Sequence, residues 1–418
     1  MMNNVKNKLS VATCSLLGSV APQAEAVENA WDLDSSFLFY SEADDRVTVR
    51  KLIALLTGDI SNEDTVNVNL VLDTMSGATP TGAVRSKNSS VSFSSASGAG
   101  SSTIDGASVD RVNFSDTRLG IALSWAHMVN RLSTLNYGGS LSVEKDYQSY
   151  GLSLSYNRDT EDRLTTYTLG FAGSLDQIFR KTNGTPKPLS RVSDAIIFSD
   201  GERFTYDFIM GMSKVLNRKT VALLNYTLGY SDGYHTDPYK VISEVNLVED
   251  TATGEFAFAE LDRYYEARPD TRLRHAIYTS MAHQYGDSGE TVHASYRFYT
   301  DDWGVSSNTF DLTHRTPLFS SSYIEPHFRY YQQSAADFFV HSFVNEDLST
   351  PLVLPEFASA DYRLDAAVAV TAGIEYGMKL SSGTFRSRLE FINWQYEEAE
   401  YDETKALVFQ ISYQKLFY

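Results

Sequence analysis

The chain has 418 residues, of which 42% are hydrophobic, an ordinary share for a folded protein that argues against wholesale disorder. The formal net charge of −18 argues against nucleic acid as a partner, because surfaces that bind nucleic acid are basic. No run of about 18 consecutive apolar residues occurs, so the sequence contains no helical membrane span.

The amino terminus predicts a secretory signal peptide. Two lysines precede an apolar run over residues 9–20, and an A-x-A cleavage site follows at residues 24–26. We therefore expect residues 1–26 to be removed on export and residues 27–418 to form one domain. The alternative, a lipid attachment at Cys14, is disfavoured because the preceding VAT is a poor lipobox. The only cysteine leaves with the signal peptide, so the mature chain does not rely on disulfides.

Apolar and polar residues alternate with a period of two through the rest of the chain, and no useful length of helical periodicity competes with this pattern. In TVNVNLVLD (65–73), for example, Val and Leu alternate with Asn67 and Asn69. Taking each alternating run between turn signals predicts sixteen strands, near residues 33–41, 46–56, 65–73, 117–128, 135–144, 149–158, 163–174, 203–215, 219–231, 271–285, 291–301, 306–316, 322–332, 362–378, 384–397 and 405–418.

The lengths of the predicted connections indicate an up-and-down barrel. Every long connection follows an odd-numbered strand, whereas the connections after even-numbered strands are short turns such as NRDTEDR and GDSGE. Alternate connections of such a barrel emerge at opposite ends, so the long loops lie at one end, as in bacterial outer-membrane barrels. We therefore predict an all-β, up-and-down antiparallel transmembrane β-barrel of about 16 strands, with these long loops: 74–116, 175–202, 232–270 and 333–361.

The alternation also predicts which side chains face lipid. The outer surface of an outer-membrane barrel is apolar, whereas water in the lumen tolerates polar side chains. We therefore place Leu70 and Leu152 on the lipid face, and Asn67 and Ser153 on the lumen side. The chain has 26 Tyr residues, and several lie towards strand ends, where they suit an interfacial girdle: Tyr40, Tyr150, Tyr156, Tyr230, Tyr299 and Tyr396. The chain ends on Tyr418, and a terminal aromatic residue is similar to the signal that outer-membrane assembly machinery reads.

Six motifs stand at the predicted strand ends: DTMSGATP (73–80), YSDGYHTDPYKV (230–241), EARPDTRLR (266–274), SYRFYTDDWG (295–304), FRYYQQSAADFF (328–339) and DYRLDA (361–366). Together they resemble the motifs of the bacterial domain-of-unknown-function family 3570, and the resemblance spans nearly the whole chain. It implies an outer-membrane barrel without an assigned activity. It also implies a small lipoprotein as a candidate partner, since members occur in genomes near small lipoproteins and redox-related genes. One departure is ADFF, where an aromatic pair with Tyr is commoner.

The same motifs place charged and aromatic residues at the long-loop ends of the strands. One hypothesis is that these residues bind a ligand at the barrel mouth or set the field that selects permeants. The favoured interpretation is structural: they cap strands, pair with one another and hold loops over the mouth, with Trp303 in an interfacial girdle. The residues are Asp73, Asp232, Asp237, Arg268, Asp270, Arg272, Asp301, Asp302, Trp303, Arg329 and Asp337.

Two histidines are candidate metal ligands. Pairing of the strands around GDSG would place His283 opposite His293, and two cross-strand imidazoles need a third ligand to hold a metal. No Cys-rich or carboxylate-rich spacing supplies that ligand, so we favour a solvated pair and predict no cofactor. G-x-S-x-G, H-E-x-x-H, P-loop and G-x-G-x-x-G motifs do not occur, and we predict no catalytic residue.

Three functions stay open at this point. The leading one is a pore or transport-type outer-membrane barrel for small solutes or ions, since about sixteen strands leave an aqueous lumen unless loops fold inward. An acidic lumen would favour cations or neutral solutes. The second is an outer-membrane enzyme or assembly scaffold that uses the loop-side Asp, Arg and Tyr residues. The third is a soluble secreted β protein that binds polysaccharide.

Overall fold

The structure is a computed structural model, and it describes most of the chain from Trp31 to Phe417. The predicted signal peptide and Tyr418 lie outside the described residues. The described ranges are 31–43, 46–80, 82–83, 91–93, 102–104, 111–179, 184–194, 197, 201–249, 256–286, 288–399 and 402–417.

The described residues form β-strands almost throughout. None of them forms a helix long and apolar enough to cross a bilayer. In chain order the strands are β1 (Trp31–Glu42), β2 (Val47–Asp59), β3 (Asp64–Pro80), β4 (Val91–Phe93), β5 (Ser102–Ile104), β6 (Arg111–Asn130), β7 (Ser133–Val143), β8 (Tyr147–Asp159), β9 (Thr165–Ile178), β10 (Gly201–Asn217), β11 (Thr220–Gly233), β12 (Val241–Glu249), β13 (Phe256–Tyr265), β14 (Thr271–Tyr285), β15 (Glu290–Asp301), β16 (Ser306–Phe319), β17 (Ser322–Gln333), β18 (Phe343–Val344), β19 (Ala367–Leu380), β20 (Gly383–Tyr396) and β21 (Glu403–Phe417).

Sixteen of these strands close into an antiparallel barrel, which confirms the predicted fold class. The order around the barrel is β1-β2-β3-β6-β7-β8-β9-β10-β11-β14-β15-β16-β17-β19-β20-β21, with β21 hydrogen-bonded to β1. Each strand is antiparallel to both neighbours, so alternate connections lie at opposite ends. All four long connections therefore lie at one end, which we call the mouth, as the sequence predicts.

Three predicted boundaries differ from the structure by five residues or more. β3 ends later and β6 begins earlier than predicted, and the two strands pair as far as Pro80 with Arg111. The strand predicted over 362–378 begins only at Ala367. Before it, Tyr362–Leu364 form a 3-10 turn that the Asp361 carboxylate caps by accepting a hydrogen bond from the Arg363 N–H.

The barrel is apolar outside and polar inside, as the alternation predicts. Leu70 and Leu152 lie on the outer surface, where Leu152 is 76% exposed. Asn67 points inward and is buried; it accepts a hydrogen bond from Thr57 at 2.7 Å and donates one to Ser124 at 3.3 Å. The polar groups of Asn67 are thus satisfied by neighbouring strands of the inner wall. The outer wall needs an apolar surrounding.

The long connections fold together over the mouth. We call their described residues 184–194, 234–249, 256–270 and 334–366 the cap. β12 pairs with β13, and also with β18 from a different connection, to form a three-stranded sheet. Ile242, Tyr264, Phe343 and Ala358 form an apolar core under this sheet. The cap therefore has a core of its own, built from connections that are far apart in sequence.

The cap contacts the barrel rim at several points around its circumference. Tyr239 donates a hydrogen bond to Asp146 between β7 and β8. Tyr362 lies 5.6 Å from the Arg46 guanidinium, between β1 and β2. Asp365 accepts backbone hydrogen bonds at 2.8–3.1 Å from residues 397–399, between β20 and β21. The β1–β2 and β20–β21 turns are neighbours in the closed barrel, whereas the β7–β8 turn lies beyond β3 and β6. The cap therefore contacts two separate parts of the rim and extends over the mouth between them.

Candidate functional site at the mouth and inner wall

A buried ion network forms the centre of the cap. Arg268 contacts Glu266 at 2.6 Å through Nε and Asp361 at 2.9 Å through Nη2. The Arg363 guanidinium also contacts Asp361, at 2.5 Å, and Lys240 Nζ lies 3.6 Å from the same carboxylate. Glu266 in turn accepts a hydrogen bond from the Ser359 hydroxyl. Asp361 therefore stands between three cations contributed by two connections of the cap.

Burial makes this network a strong constraint on the cap. Glu266 and Asp361 are both 0% exposed. Burial by itself would raise the pKa of Asp361, but Arg363, Lys240 and Arg268 together hold it well below its usual range. Burial raises the pKa of Glu266 even though Arg268 acts in the opposite direction. A buried ion network of this kind fixes one arrangement of the loops, since separation of any partner leaves an uncompensated charge.

Asp237 joins the same network at its edge. Its carboxylate lies 3.2 Å from Arg363 Nη2, and its backbone N–H donates to Glu266 at 2.6 Å. With Asp237 included, three carboxylates face three cations. This balance leaves no spare charge to attract a ligand, so the network acts as a clasp that holds the connections together.

A second cluster fixes the β15–β16 turn beside the cap. Asp301 accepts hydrogen bonds from Arg272 at 2.5 and 2.9 Å and from the Tyr299 hydroxyl at 2.6 Å. The Arg272 guanidinium also lies 4.1 Å from the ring centroid of Trp303, whose indole N–H donates to the Thr271 carbonyl at 2.8 Å. Trp303 is 3% exposed, so its predicted place in an interfacial girdle is wrong: it anchors the cap.

Asp302 and Asp337 complete this turn. Asp302 accepts the Leu273 N–H at 2.9 Å, and the Asp337 N–H donates to the Trp303 carbonyl at 2.8 Å. Gly304 between them has a φ of 83°, and an added Cβ would collide with the Asp337 carboxylate, so this turn requires glycine. Beside the turn, Asp302, Trp303, Asp337, Phe338 and Glu356 line a shallow cavity of about 290 Å³.

The remaining predicted site residues do not join these clusters. Asp232 is exposed and lies on the outward face of β11, and Asp270 is exposed beside it. Asp73 faces the lumen and pairs with Arg118 at 2.6 Å and Lys51 at 3.7 Å. Arg329 faces the lumen four residues below the end of β17, about 13 Å into the barrel at the usual rise of a strand, and not at the mouth.

The predicted pairing of His283 with His293 is wrong. His283 pairs with Val292, and His293 pairs with Ala282. The loop leaves only residues 286–289 unpaired, one fewer than assumed, and a one-residue slip moves a side chain to the other face of a sheet. Among the described residues, no three His, Cys, Asp or Glu side chains group closely enough to hold a metal ion.

Four cap residues with central roles were missed by sequence reasoning: Lys240, Glu266, Asp361 and Arg363. All four belong to the motifs YSDGYHTDPYKV, EARPDTRLR and DYRLDA. These motifs carry acidic and basic residues in separate loops, and this pattern could have indicated that the loops form ion pairs with one another. Their burial could not be inferred, because it depends on strands β12, β13 and β18.

Ion pairs also line the inner wall of the barrel. Arg203 contacts Asp176 at 2.7 Å, and Arg315 contacts Glu325 at 2.5 Å. His327 bridges two carboxylates, with Asp311 at 2.9 Å and Glu390 at 2.8 Å. The wall therefore presents charges of both signs, and cross-strand pairing satisfies most of them.

These features define a closed sixteen-stranded antiparallel barrel with a polar inner wall, an apolar outer wall and a folded cap at one end. The sequence matches the family described as "Protein of unknown function (DUF3570)" over residues 6–410, so the chain belongs to that family. The match confirms the resemblance carried by the six motifs. No protein with a curated description matches the sequence.

Solved structures similar to the chain include a receptor, a secretin and a channel. The siderophore receptor PirA from Pseudomonas aeruginosa is 8% identical, with a TM-score of 0.41, and the match covers 94% of this chain and 66% of the receptor. A bacterial polysaccharide outer membrane secretin is 9% identical, with a TM-score of 0.45 and 94% and 100% of the two chains covered. The CymD monoaromatic hydrocarbon channel is 11% identical, with a TM-score of 0.39 and coverage of 94% and 90%. The chain thus spans less than two thirds of the length of PirA.

Proposed function

We propose that this protein is an outer-membrane barrel of the pore or transport type, which passes small solutes or ions, and that the cap narrows its mouth. The proposal includes export by the signal peptide, insertion by the outer-membrane assembly machinery and a lipid surrounding. A small lipoprotein is a proposed partner.

The observation that carries this proposal is the opposite polarity of the two barrel walls. Large apolar side chains stand exposed on the outer surface, for example Leu123 at 54%, Phe171 at 52% and Leu152 at 76%. A soluble protein rarely exposes so continuous an apolar band. The inner wall carries ion pairs and hydrogen-bonded amides, which need water or one another. A barrel of sixteen strands is also wide enough to hold an aqueous channel.

The position of the cap favours a passage that is narrow at the mouth. It reaches from the β1–β2 rim to the β7–β8 and β20–β21 rims, and its buried ions resist separation. A solute that enters from this end must pass beside the cap or displace it. We therefore expect small, infrequent currents from the intact protein and larger ones when the clasp is broken.

Planar lipid bilayers test the proposal directly. The purified full chain and its Asp361→Asn variant are inserted at equal amounts, and folding is checked by resistance to heat in detergent gels. Stepwise conductance is expected for both proteins, with larger steps or longer openings for the variant. If neither folded protein passes current, the pore proposal is wrong and the scaffold alternative takes its place. A native chain that stays monomeric in buffer without detergent would contradict the membrane location.

A further inference from the structure

Two arginines on the inner wall differ from the other inward-facing arginines of the barrel. Arg297 on β15 and Arg329 on β17 are both exposed. Their strand neighbours Phe298, Phe310 and Phe328 point the other way, and Phe310 and Phe328 are 52% and 47% exposed on the outer surface. Since the side chains of a strand alternate between faces, both guanidinium groups face the lumen.

Among the described residues, neither of these two guanidiniums forms an ion pair with a carboxylate. The Arg297 guanidinium lies 5.8 Å from the centroid of the Tyr299 ring. Asp311 pairs with Arg329 across β16 and β17 and lies within its electrostatic range, but the Asp311 carboxylate binds His327 at 2.9 Å. Every other inward-facing arginine of the described barrel strands has a carboxylate within 4 Å: Arg118, Arg203, Arg272, Arg274, Arg315, Arg386 and Arg388.

The register places the two arginines close to one another. Each lies four residues below the mouth end of its strand, and β15 and β17 are separated only by β16. Arg329 lies two residues further from the mouth than Tyr331, which is in register with Arg297, so two strand spacings and this offset separate the two backbones by about 12 Å. Two long side chains that extend towards each other on a concave wall can span this distance. Both arginines lie within electrostatic range of Tyr331, which is on the same row as Arg297 through Thr309.

Hydroxyl and aromatic groups surround the pair. Tyr278 stands directly beside Arg297 on β14, and Thr371 stands beside Arg329 on β19. The ring of Tyr331 packs against Trp394 at 5.5 Å. Hydroxyl donors next to two guanidiniums that form no ion pair within 4 Å suit an oxyanion, because guanidinium forks match the oxygens of phosphate and carboxylate groups.

We propose that Arg297, Arg329 and the adjoining hydroxyls form an oxyanion-binding site on the inner wall, below the cap. It takes small solutes that carry a phosphate or carboxylate group. The role of this site in the passage of solutes rests on the proposed pore function, whereas its binding of an oxyanion does not. The inner wall would then select anions at this depth, although the whole chain is acidic.

Isothermal titration of the detergent-purified full chain with sodium phosphate tests the site without any current. The native protein is expected to bind phosphate at millimolar concentration or below. The Arg297→Gln/Arg329→Gln variant should bind about tenfold or more weakly, since two charge-assisted contacts are lost. An Arg297→Lys/Arg329→Lys variant keeps the charge without the fork and should fall between the two.

A matched control separates a site from a general effect of lumen charge. Arg118→Gln/Arg203→Gln removes the same charge from guanidiniums that already have carboxylate partners, and it should leave phosphate binding within about twofold of the native value. Equal weakening in both glutamine variants, or no phosphate binding by the native protein, overturns the site. Binding without conductance leaves the site standing and contradicts the pore. Conductance without phosphate binding contradicts the site alone.

Discussion

Arg268 and Asp361, 93 residues apart in the chain, meet at 2.9 Å in the buried centre of the cap. They belong to different connections of the barrel, one between β11 and β14 and the other between β17 and β19. The contact ties the two connections into one unit. Because the surrounding charges balance, it does so without an excess of charge at the mouth.

We expect Asp361→Asn to loosen the cap and leave the barrel intact. The substitution leaves Arg268, Arg363 and Lys240 without their shared carboxylate, and breaking a buried ion pair typically costs about 3–5 kcal/mol. Hydrogen exchange followed by mass spectrometry should show faster exchange in residues 234–249 and 256–270, with the barrel strands unchanged.

Glu356→Gln is the matched control for this experiment, because Glu356 is an exposed carboxylate in the same connection as Asp361. Its removal should leave the exchange of the cap as in the native protein. Equal protection in Asp361→Asn and Glu356→Gln would mean that the apolar core of the cap suffices, and that the ion network is not the clasp.

A second prediction concerns Arg272, which lies over Trp303 and pairs with Asp301. Arg272→Leu should expose the Trp303 ring to water and shift its fluorescence to longer wavelength. The Trp303 signal is isolated by subtracting the spectrum of Arg272→Leu/Trp303→Phe. Arg274→Leu removes a neighbouring arginine with a longer ion pair of 3.4 Å to Asp207, and it should leave the signal unchanged. A red shift in both variants would point to a general loosening of β14.

The barrel could be predicted from the sequence because one local rule governs it. An apolar outer wall and a polar inner wall impose a period of two, as in the alternation of Asn67 and Asn69 with apolar residues. The parity of the loop lengths then shows which loops share an end of the barrel. The sheet register is less secure, because it depends on turn geometry. One extra unpaired residue in the assumed turn was enough to pair His283 with His293, although the two lie on opposite faces of the sheet.

The cap could not be predicted for a different reason. β12 pairs with β13 and also with β18 from another connection, and no local pattern in the sequence reports such a partner. The burial of Glu266 and Asp361 follows from that long-range pairing. The position of Trp303 likewise depends on Phe338, against which its ring packs at 5.2 Å. The sequence therefore indicates Asp237 and Arg268 as candidate site residues, but not the residues with which they form the ion network.

The facing of the strands predicts unequal tolerance of charge at adjacent positions. Leu152→Lys places a charge on the outer wall, where a basic residue costs about 2–4 kcal/mol at the bilayer midplane. Ser153→Lys places the same charge in the lumen, one residue along the same strand. Folding yield into lipid vesicles should fall for the first variant and stay near native for the second. Similar yields for the two would contradict the assignment of the outer wall to lipid.

The last prediction is a pH dependence of the cap that comes from His235. Its imidazole interacts with the Ser231 hydroxyl at 2.7 Å and the Gly233 carbonyl at 2.9 Å, and its ring packs on Trp303 at 5.5 Å. Burial lowers the pKa of His235 to about 4, and the guanidiniums of Arg203, Arg272 and Arg274 act in the same direction.

The sign of the effect follows from the lowered pKa. Above the ordinary value of 6.5 the imidazole is neutral in both the folded and the unfolded cap, so His235 has no effect there. Between pH 6.5 and about 4 only the unfolded form takes up the proton, and the cap loses stability progressively as the pH falls. The denaturant midpoint of the Trp303 fluorescence transition should fall through this window. In His235→Gln this part of the pH dependence should disappear, while the contribution of the carboxylates at lower pH remains; an unchanged profile in the variant would rule out His235 as its source.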